Sequence, residues 1–204
     1  MKFKIANVDF TLSYPLAAGI TLILACDTTG AALCGLLACI CHEAGHLVAM
    51  RYFHTRITEI HISVFEVGIV DISQKYRGII AEMTITLSGI FVNFLLFFLS
   101  LIVYNRCRFY IFGYFATANL TLGLFNLLPV ETLDGGNALK MILQRNFSEK
   151  TVYIVTLIIS LVIIIPLGYG SYTTLMHSRY NFTMLFATLY LTGAVISKML
   201  SFKN

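Results

Sequence analysis

Long apolar runs follow one another along the chain, separated by short polar connections. Six stand out: Thr11–Cys26, Gly30–Phe53, Ile79–Tyr104, Phe109–Leu128, Val152–Tyr169 and Phe182–Leu200. A helix that crosses the hydrocarbon core needs about 20 mostly apolar residues, so each run predicts a span. The first is the shortest and carries Pro15. One stretch follows a different period. Between His54 and Gly78, Ile60, Ile62 and Val64 alternate with His61 and Ser63, as in a strand, and Gly68 offers a turn before Ile69–Ile72. The pattern predicts an all-α polytopic membrane protein of about six transmembrane helices, with a small β-hairpin at the membrane surface after the second.

Composition agrees with the pattern. Of 204 residues, 58% are hydrophobic and only 12% charged, and the mean hydropathy is +0.82. A soluble domain of this length needs far more polar surface. No repeat or low-complexity linker divides the chain, so residues 1–204 read as a single membrane-embedded domain. Basic residues suggest its orientation. An N-terminus inside places Lys2, Lys4, Arg51, Arg56, Lys75, Arg77, Lys140, Arg145, Lys150, Lys198 and Lys203 on the cytoplasmic side. Arg106, Arg108 and Arg179 then lie outside, 11 against 3 of the 14 basic residues. Both termini are therefore expected in the cytoplasm, and the net charge of +4 reflects topology rather than nucleic-acid binding. Lys2, Lys4 and the apolar run after them resemble a signal peptide, but an uncleaved first span explains the same bias. Cys26, Cys34, Cys39, Cys41 and Cys107 are odd in number, and three share one predicted helix, which suits apolar filler rather than a disulfide framework.

The second run carries the chemistry. Its segment Cys41-His42-Glu43-Ala44-Gly45-His46-Leu47 contains H-E-x-x-H. Residues four apart on a helix are separated by about 6 Å and about 40° of azimuth, so two imidazoles can converge on one tetrahedral Zn²⁺. Glu43 projects near the same point and can take a proton from water there. Ionisable groups inside a membrane helix are expensive and are kept mainly where they work. Counting from Gly30, His42 lies about 18 Å along the helix, which puts it nearer the cytoplasmic face of a core about 30 Å thick. Gly30, Ala31, Ala32, Gly35, Ala38, Ala44 and Gly45 make this helix small-sided, as suits a central helix with close neighbours.

A catalytic zinc needs a third protein ligand and an open position. The fourth run ends in Phe125-Asn126-Leu127-Leu128-Pro129-Val130-Glu131-Thr132-Leu133-Asp134-Gly135-Gly136, and Asp134 is the only Asp after Asp71. Pro129 stops the helix, and the two glycines allow tight backbone. From these residues alone, Asp134 is either a metal ligand or a cap for a helix over Asn137–Asn146.

H-E-x-x-H in an early span, paired with N-x-x-P and L-D-G in a later one, resembles the site-2 protease family of intramembrane metalloproteases. The segment from Asn126 to Gly136 is most similar to the bacterial branch that contains a sporulation protease activating a pro-sigma factor. The resemblance implies one Zn²⁺ held by His42, His46 and Asp134, with Glu43 as catalytic base. A further family element, Gly followed by Asn in the next span, appears as Ser88-Gly89-Ile90-Phe91-Val92-Asn93, with Ile90 where the family usually has Pro. The implied activity is hydrolysis of peptide bonds in or near transmembrane segments of membrane-protein or peptide-precursor substrates. Asn126 and Asn93 are candidates to bind substrate backbone or the oxyanion, or alternatively to hydrogen-bond between helices. The expected surroundings are the lipid bilayer of a bacterial cytoplasmic membrane, a membrane-associated polypeptide substrate and a regulatory membrane protein. No PDZ or CBS domain is recognisable.

The strand-like stretch offers an edge to which an unwound substrate could add. His54, His61, His177 and Glu82 read as interfacial residues. Two other functions are open: hydrolysis of a non-peptide, lipid-linked substrate by the same zinc chemistry, and a metal carrier or catalytically silent zinc-binding homologue. A metal carrier should offer ligands along a path, and the third, fifth and sixth runs supply almost none.

Overall fold

The computed structural model describes residues 2–5, 8–12, 14–55, 57–62, 67–71, 78–178 and 183–202. Val64 and Ile72 of the predicted strand stretch lie outside them. The described chain forms two compact units, Met1–Asn126 and Leu127–Asn204.

The first unit opens with strands β1 (Lys2–Ile5) and β2 (Val8–Leu12), followed by helices α1 (Tyr14–Cys26) and α2 (Ala31–Tyr52). Strands β3 (Ile57–Ile62) and β4 (Val67–Asp71) come next, then helices α3 (Ile79–Cys107) and α4 (Tyr110–Leu127). The strands form one sheet in the order β1-β2-β3-β4. β1 pairs antiparallel with β2, β2 parallel with β3 (Phe10 opposite Ile60), and β3 antiparallel with β4 (Ile60 opposite Ile69). Helices α1 and α2 thus form the crossover between the parallel strands β2 and β3, leaving β2 after Leu12 and returning to β3 at Ile57.

That crossover turns at Asp27. Its Oδ1 accepts hydrogen bonds from the backbone N–H groups of Thr29 and Gly30 and from the Thr29 hydroxyl, and its Oδ2 accepts from Ala32 N–H at 2.8 Å. These donors are the orphan amides that every helix start exposes. Desolvation pushes the Asp27 carboxyl up, but the hydrogen bonds from Thr29, Ala32 and Leu33 outweigh it and hold the group below the usual carboxylate range. Gly30, with φ of 78°, makes the left-handed step into α2 that other residues adopt only at a cost.

Helices α2 and α3 cross closely because glycines meet there. A Cβ on Gly45 would lie 2.9 Å from Val92 Cγ2 and 3.0 Å from the Ser88 carbonyl. Such contact is how helices associate in lipid, where no hydrophobic effect drives them together.

The second unit contains α5 (Asp134–Leu143), α6 (Glu149–Ser178) and α7 (Thr183–Phe202). Val152 and Ile164 of α6 and Leu191 and Val195 of α7 are buried. Buried hydroxyls on α6 donate within their own helix, Thr156 to Val152 O and Ser171 to Gly168 O, which satisfies them without water.

The expectation of an all-α protein with six spans and a lone hairpin is corrected in two respects. Helices occupy all six apolar runs, but among the described residues only Ala31–Tyr52, Ile79–Cys107 and Glu149–His177 are long and apolar enough to cross a membrane. Thr11 and Leu12 of the first run belong to β2, which leaves α1 only 13 residues. Helix α4 has 18 residues and is diluted by Thr117, Asn119, Thr121 and Asn126. The second correction concerns the strands. Instead of an isolated hairpin there is a four-stranded sheet, two strands of which come from the N-terminal segment. Alternation over four or five residues, as in Lys2–Ile5, is too short to stand out beside the apolar runs.

Candidate metal centre

His42 and His46 lie one turn apart on α2 and are both buried, 4% and 8% exposed, whereas Glu43 between them is half-buried. Each imidazole is held from behind. The Nδ1 of His46 is 2.8 Å from the backbone carbonyl of Ile85. A carbonyl only accepts, so this Nδ1 carries the proton and Nε2 keeps its lone pair. The Nδ1 of His42 is 2.6 Å from Asn93 Oδ1, with the same consequence. Both lone pairs therefore converge, and the two Nε2 atoms stand 3.2 Å apart. Two nitrogens about 2.05 Å from a tetrahedral zinc stand about 3.3 Å apart, so the pair already has the spacing of two zinc ligands.

Gly89 makes room for the pair. A Cβ there would lie 2.6 Å from His46 Nε2 and 2.7 Å from His42 Cε1. Any other residue at 89 would meet the imidazole edges that a metal needs.

Asp134 is the first residue of α5, whose N-cap is Leu133, so it is not the capping residue. The residue is half-buried, and its Oδ2 is fully buried. The segment leading to it is strongly anchored. Val130 and Leu133 are buried, and Leu133 N–H donates to Val130 O at 2.8 Å. Glu131, 2% exposed, donates its N–H to Ser160 Oγ of α6. Lys198 of α7 donates to Glu131 O at 3.0 Å, with its Nζ 3.9 Å from Glu131 Oε1. Gly135 and Gly136 let the chain fold back, because a Cβ at either would collide with the carbonyls of Leu127 and Val130 respectively.

His42 and His46 offer imidazole nitrogens and Asp134 a carboxylate oxygen, the kinds of donor that can hold a metal ion. Two imidazoles and a carboxylate form a donor set that zinc accepts. The residues present therefore fit the metal.

The two asparagines expected near the site differ. Asn93 is fully buried, and its amide bonds His42, Asn119 and Ala38. Asn126 is half-buried, and its Nδ2 donates to Leu122 O of its own helix at 3.2 Å. His54 and His177 are exposed, and Glu82 is half-buried on α3. Sequence reasoning missed Asn119, Glu131 and Lys198. The signal for the first and second was available, since each is a polar residue in a largely apolar stretch.

Comparison with known proteins follows the same lines. The family model for peptidase family M50 matches residues 106–167. No curated protein matches the sequence. Among solved structures, the fold is similar to that of a site-2 protease from Methanocaldococcus jannaschii, with a TM-score of 0.70 at 18% identity. The match covers 97% of this chain and 94% of that one. The resemblance to the site-2 protease family thus holds in motif, in family model and in fold.

Proposed function

We propose that this chain, similar in motif and fold to the site-2 proteases, is an intramembrane zinc metalloprotease acting in residues 1–204 as one domain. The observation that carries the reading is the pair of buried Nε2 atoms of His42 and His46, 3.2 Å apart, the spacing of two zinc ligands. In this reading those three residues hold one Zn²⁺ and leave a fourth position open. When bound, zinc supplies Lewis acidity to water and to a peptide carbonyl. Glu43, half-buried beside the ligands, takes the proton of the attacking water and passes it to the leaving amine. Asn93 orients His42 from behind, and Asn126 is the remaining polar candidate to meet substrate backbone.

Burial of both histidines supports a substrate that comes from the bilayer, namely a transmembrane or membrane-anchored polypeptide. A helix hides its peptide bonds, so such a substrate unwinds locally before hydrolysis. The N-in, C-in orientation, the bacterial cytoplasmic membrane, a regulatory membrane partner and the pro-sigma-factor branch belong to this reading through the charge bias and the motif resemblance.

The test compares wild type with Glu43→Gln, reconstituted with a panel of single-span polypeptides and, in parallel, lipid-linked non-peptide esters. The variant is expected to retain zinc while peptide cleavage falls about a hundred- to ten-thousandfold. Equal cleavage by both proteins would overturn the proposal.

A further inference from the structure

The mechanism uses Asn93 only as a neighbour of His42, but the hydrogen bonds continue beyond it. Asn93 Nδ2 donates to Asn119 Oδ1 at 2.9 Å and to the backbone carbonyl of Ala38 at 3.4 Å. Asn119 Nδ2 in turn donates to the backbone carbonyl of Phe115 at 2.8 Å. Both side chains are completely buried, at 0% exposure, where amide hydrogen bonds cannot be exchanged for water.

This chain has a direction. An amide has one accepting end and one donating end, and which end points where is set by its partners. The Phe115 carbonyl can only accept, so Asn119 must present Nδ2 to it and Oδ1 to Asn93. Asn93 must then present Nδ2 to Asn119 and Ala38, and Oδ1 to His42. His42 must answer with a protonated Nδ1, which leaves the Nε2 lone pair facing His46. Turning Asn93 over would set its oxygen against Asn119 Oδ1 and the Ala38 carbonyl, two contacts between acceptors.

We propose that Asn119, acting through Asn93, is a positioning residue that fixes the tautomer and ring orientation in which His42 presents Nε2 to a metal. His46 receives the same instruction directly from the Ile85 carbonyl. His42 receives it from the Phe115 carbonyl through two side chains. The helix packing is built for this. A Cβ on Gly123, one turn beyond Asn119 on α4, would lie 3.3 Å from the Asn93 Cβ, so the glycine lets α4 approach α3 at Asn93. Gly89, one turn before Asn93, admits the imidazoles on the other side. Outer partners that orient a liganding histidine typically change metal affinity about ten- to a hundredfold, and Asn119 stands one step further out.

The inference rests on the reading that His42 and His46 bind zinc, and two measurements separate the two ideas. The full chain, labelled with ¹⁵N-histidine, is studied metal-free in bilayers by NMR, with the His42 signals assigned by their loss in His42→Gln. The zinc-loaded chain is then challenged with a competing chelator, and the rate of zinc loss is followed. Asn119→Leu removes the acceptor for Asn93. It is expected to populate the Nε2-protonated form of His42 and to speed zinc loss about tenfold. Asn119→Asp, neutral in this buried site, donates its hydroxyl to Phe115 O and accepts from Asn93. It is expected to behave as wild type in both measurements, which simple loss of packing would not produce. Asn119→Leu with wild-type His42 signals and zinc loss would overturn the proposal, as would Asn119→Asp being as damaged as Asn119→Leu. A wild-type chain that holds no zinc would instead refute the metal reading, while the metal-free NMR comparison would still decide the role of Asn119.

Discussion

At the scale of single residues, the centre depends as much on a missing side chain as on those present. Gly89 faces both imidazoles, and a methyl group there would overlap His46 Nε2 and His42 Cε1 at 2.6 and 2.7 Å. The rings can yield only by leaving the hydrogen bonds that aim them. Gly89→Ala is therefore expected to lower zinc affinity about ten- to a hundredfold, the range seen when a liganding histidine loses its orientation. Metal content of the purified variant after dialysis checks this, and full zinc occupancy would show that α3 retreats at little cost. His42, Glu43 and His46 were legible in the sequence because their relation is internal to one helix, where spacing determines direction. Asn93 was a candidate in the sequence, for substrate or for an interhelical hydrogen bond, but its bond to His42 was not legible there. Which neighbour a side chain meets across a helix crossing depends on the azimuth and closeness of that crossing, here set by Gly45 and Gly89. Asn119 shows the same limit, because nothing in its own segment points to a partner 26 positions earlier.

At the scale of elements, the apolar runs were legible as helices because their length and unbroken apolar character marked them. Membrane crossing was overcounted, since α4 is diluted by the polar side chains that the interior requires, Asn119 among them. The sheet was harder to see, because strand pairing joins segments far apart in sequence, such as Phe10 and Ile60. This changes where an unwound substrate can add. β3 is paired on both sides, so the Ile60–Ile62 stretch offers no edge, and among the described strands β1 and β4 are the outer ones. A substrate strand is therefore expected on β4, which follows the ligand-bearing helix α2 most directly. Successive N–H groups of a strand point to opposite edges, so of Ile69→Pro and Val70→Pro one loses a bond to β3 and the other loses an outward donor. The variant that loses the outward donor is expected to cleave several-fold more slowly with zinc content intact. Wild-type cleavage in both variants would remove the β4 edge from substrate binding.

At the scale of the molecule, the path of the chain through the bilayer can be derived from contacts and then oriented by charge. The beginning of α1 and the end of α2 both attach to one sheet, through β2 and β3, which keeps them on one side. The turn at Asp27–Gly30 must then lie at the other, with Cys26 beside it. Helix α2 is 22 residues, about 33 Å, and so reaches across the core. Its first turn meets the start of α4: Cys34 Sγ lies 3.6 Å from Ile111 O, and a Cβ on Gly30 would touch Ile111 Cδ1. The end of α3, at Cys107, immediately precedes α4 and therefore shares that side. Cys26 and Cys107 are both exposed free thiols, whereas Cys34 is buried and Cys39 and Cys41 lie within the span of α2, away from the water phase. The contacts predict that these two cysteines face the same compartment, which is the outer one under the proposed N-in, C-in orientation. A membrane-impermeant maleimide applied to intact cells is thus expected to label both, with Cys26→Ser and Cys107→Ser each removing one label. Labelling of both only after permeabilisation would keep the helix path and invert its orientation. Labelling of one from each side would show that the path itself is wrong, because no single orientation places the start of α2 and the start of α4 on opposite faces while Cys34 touches Ile111.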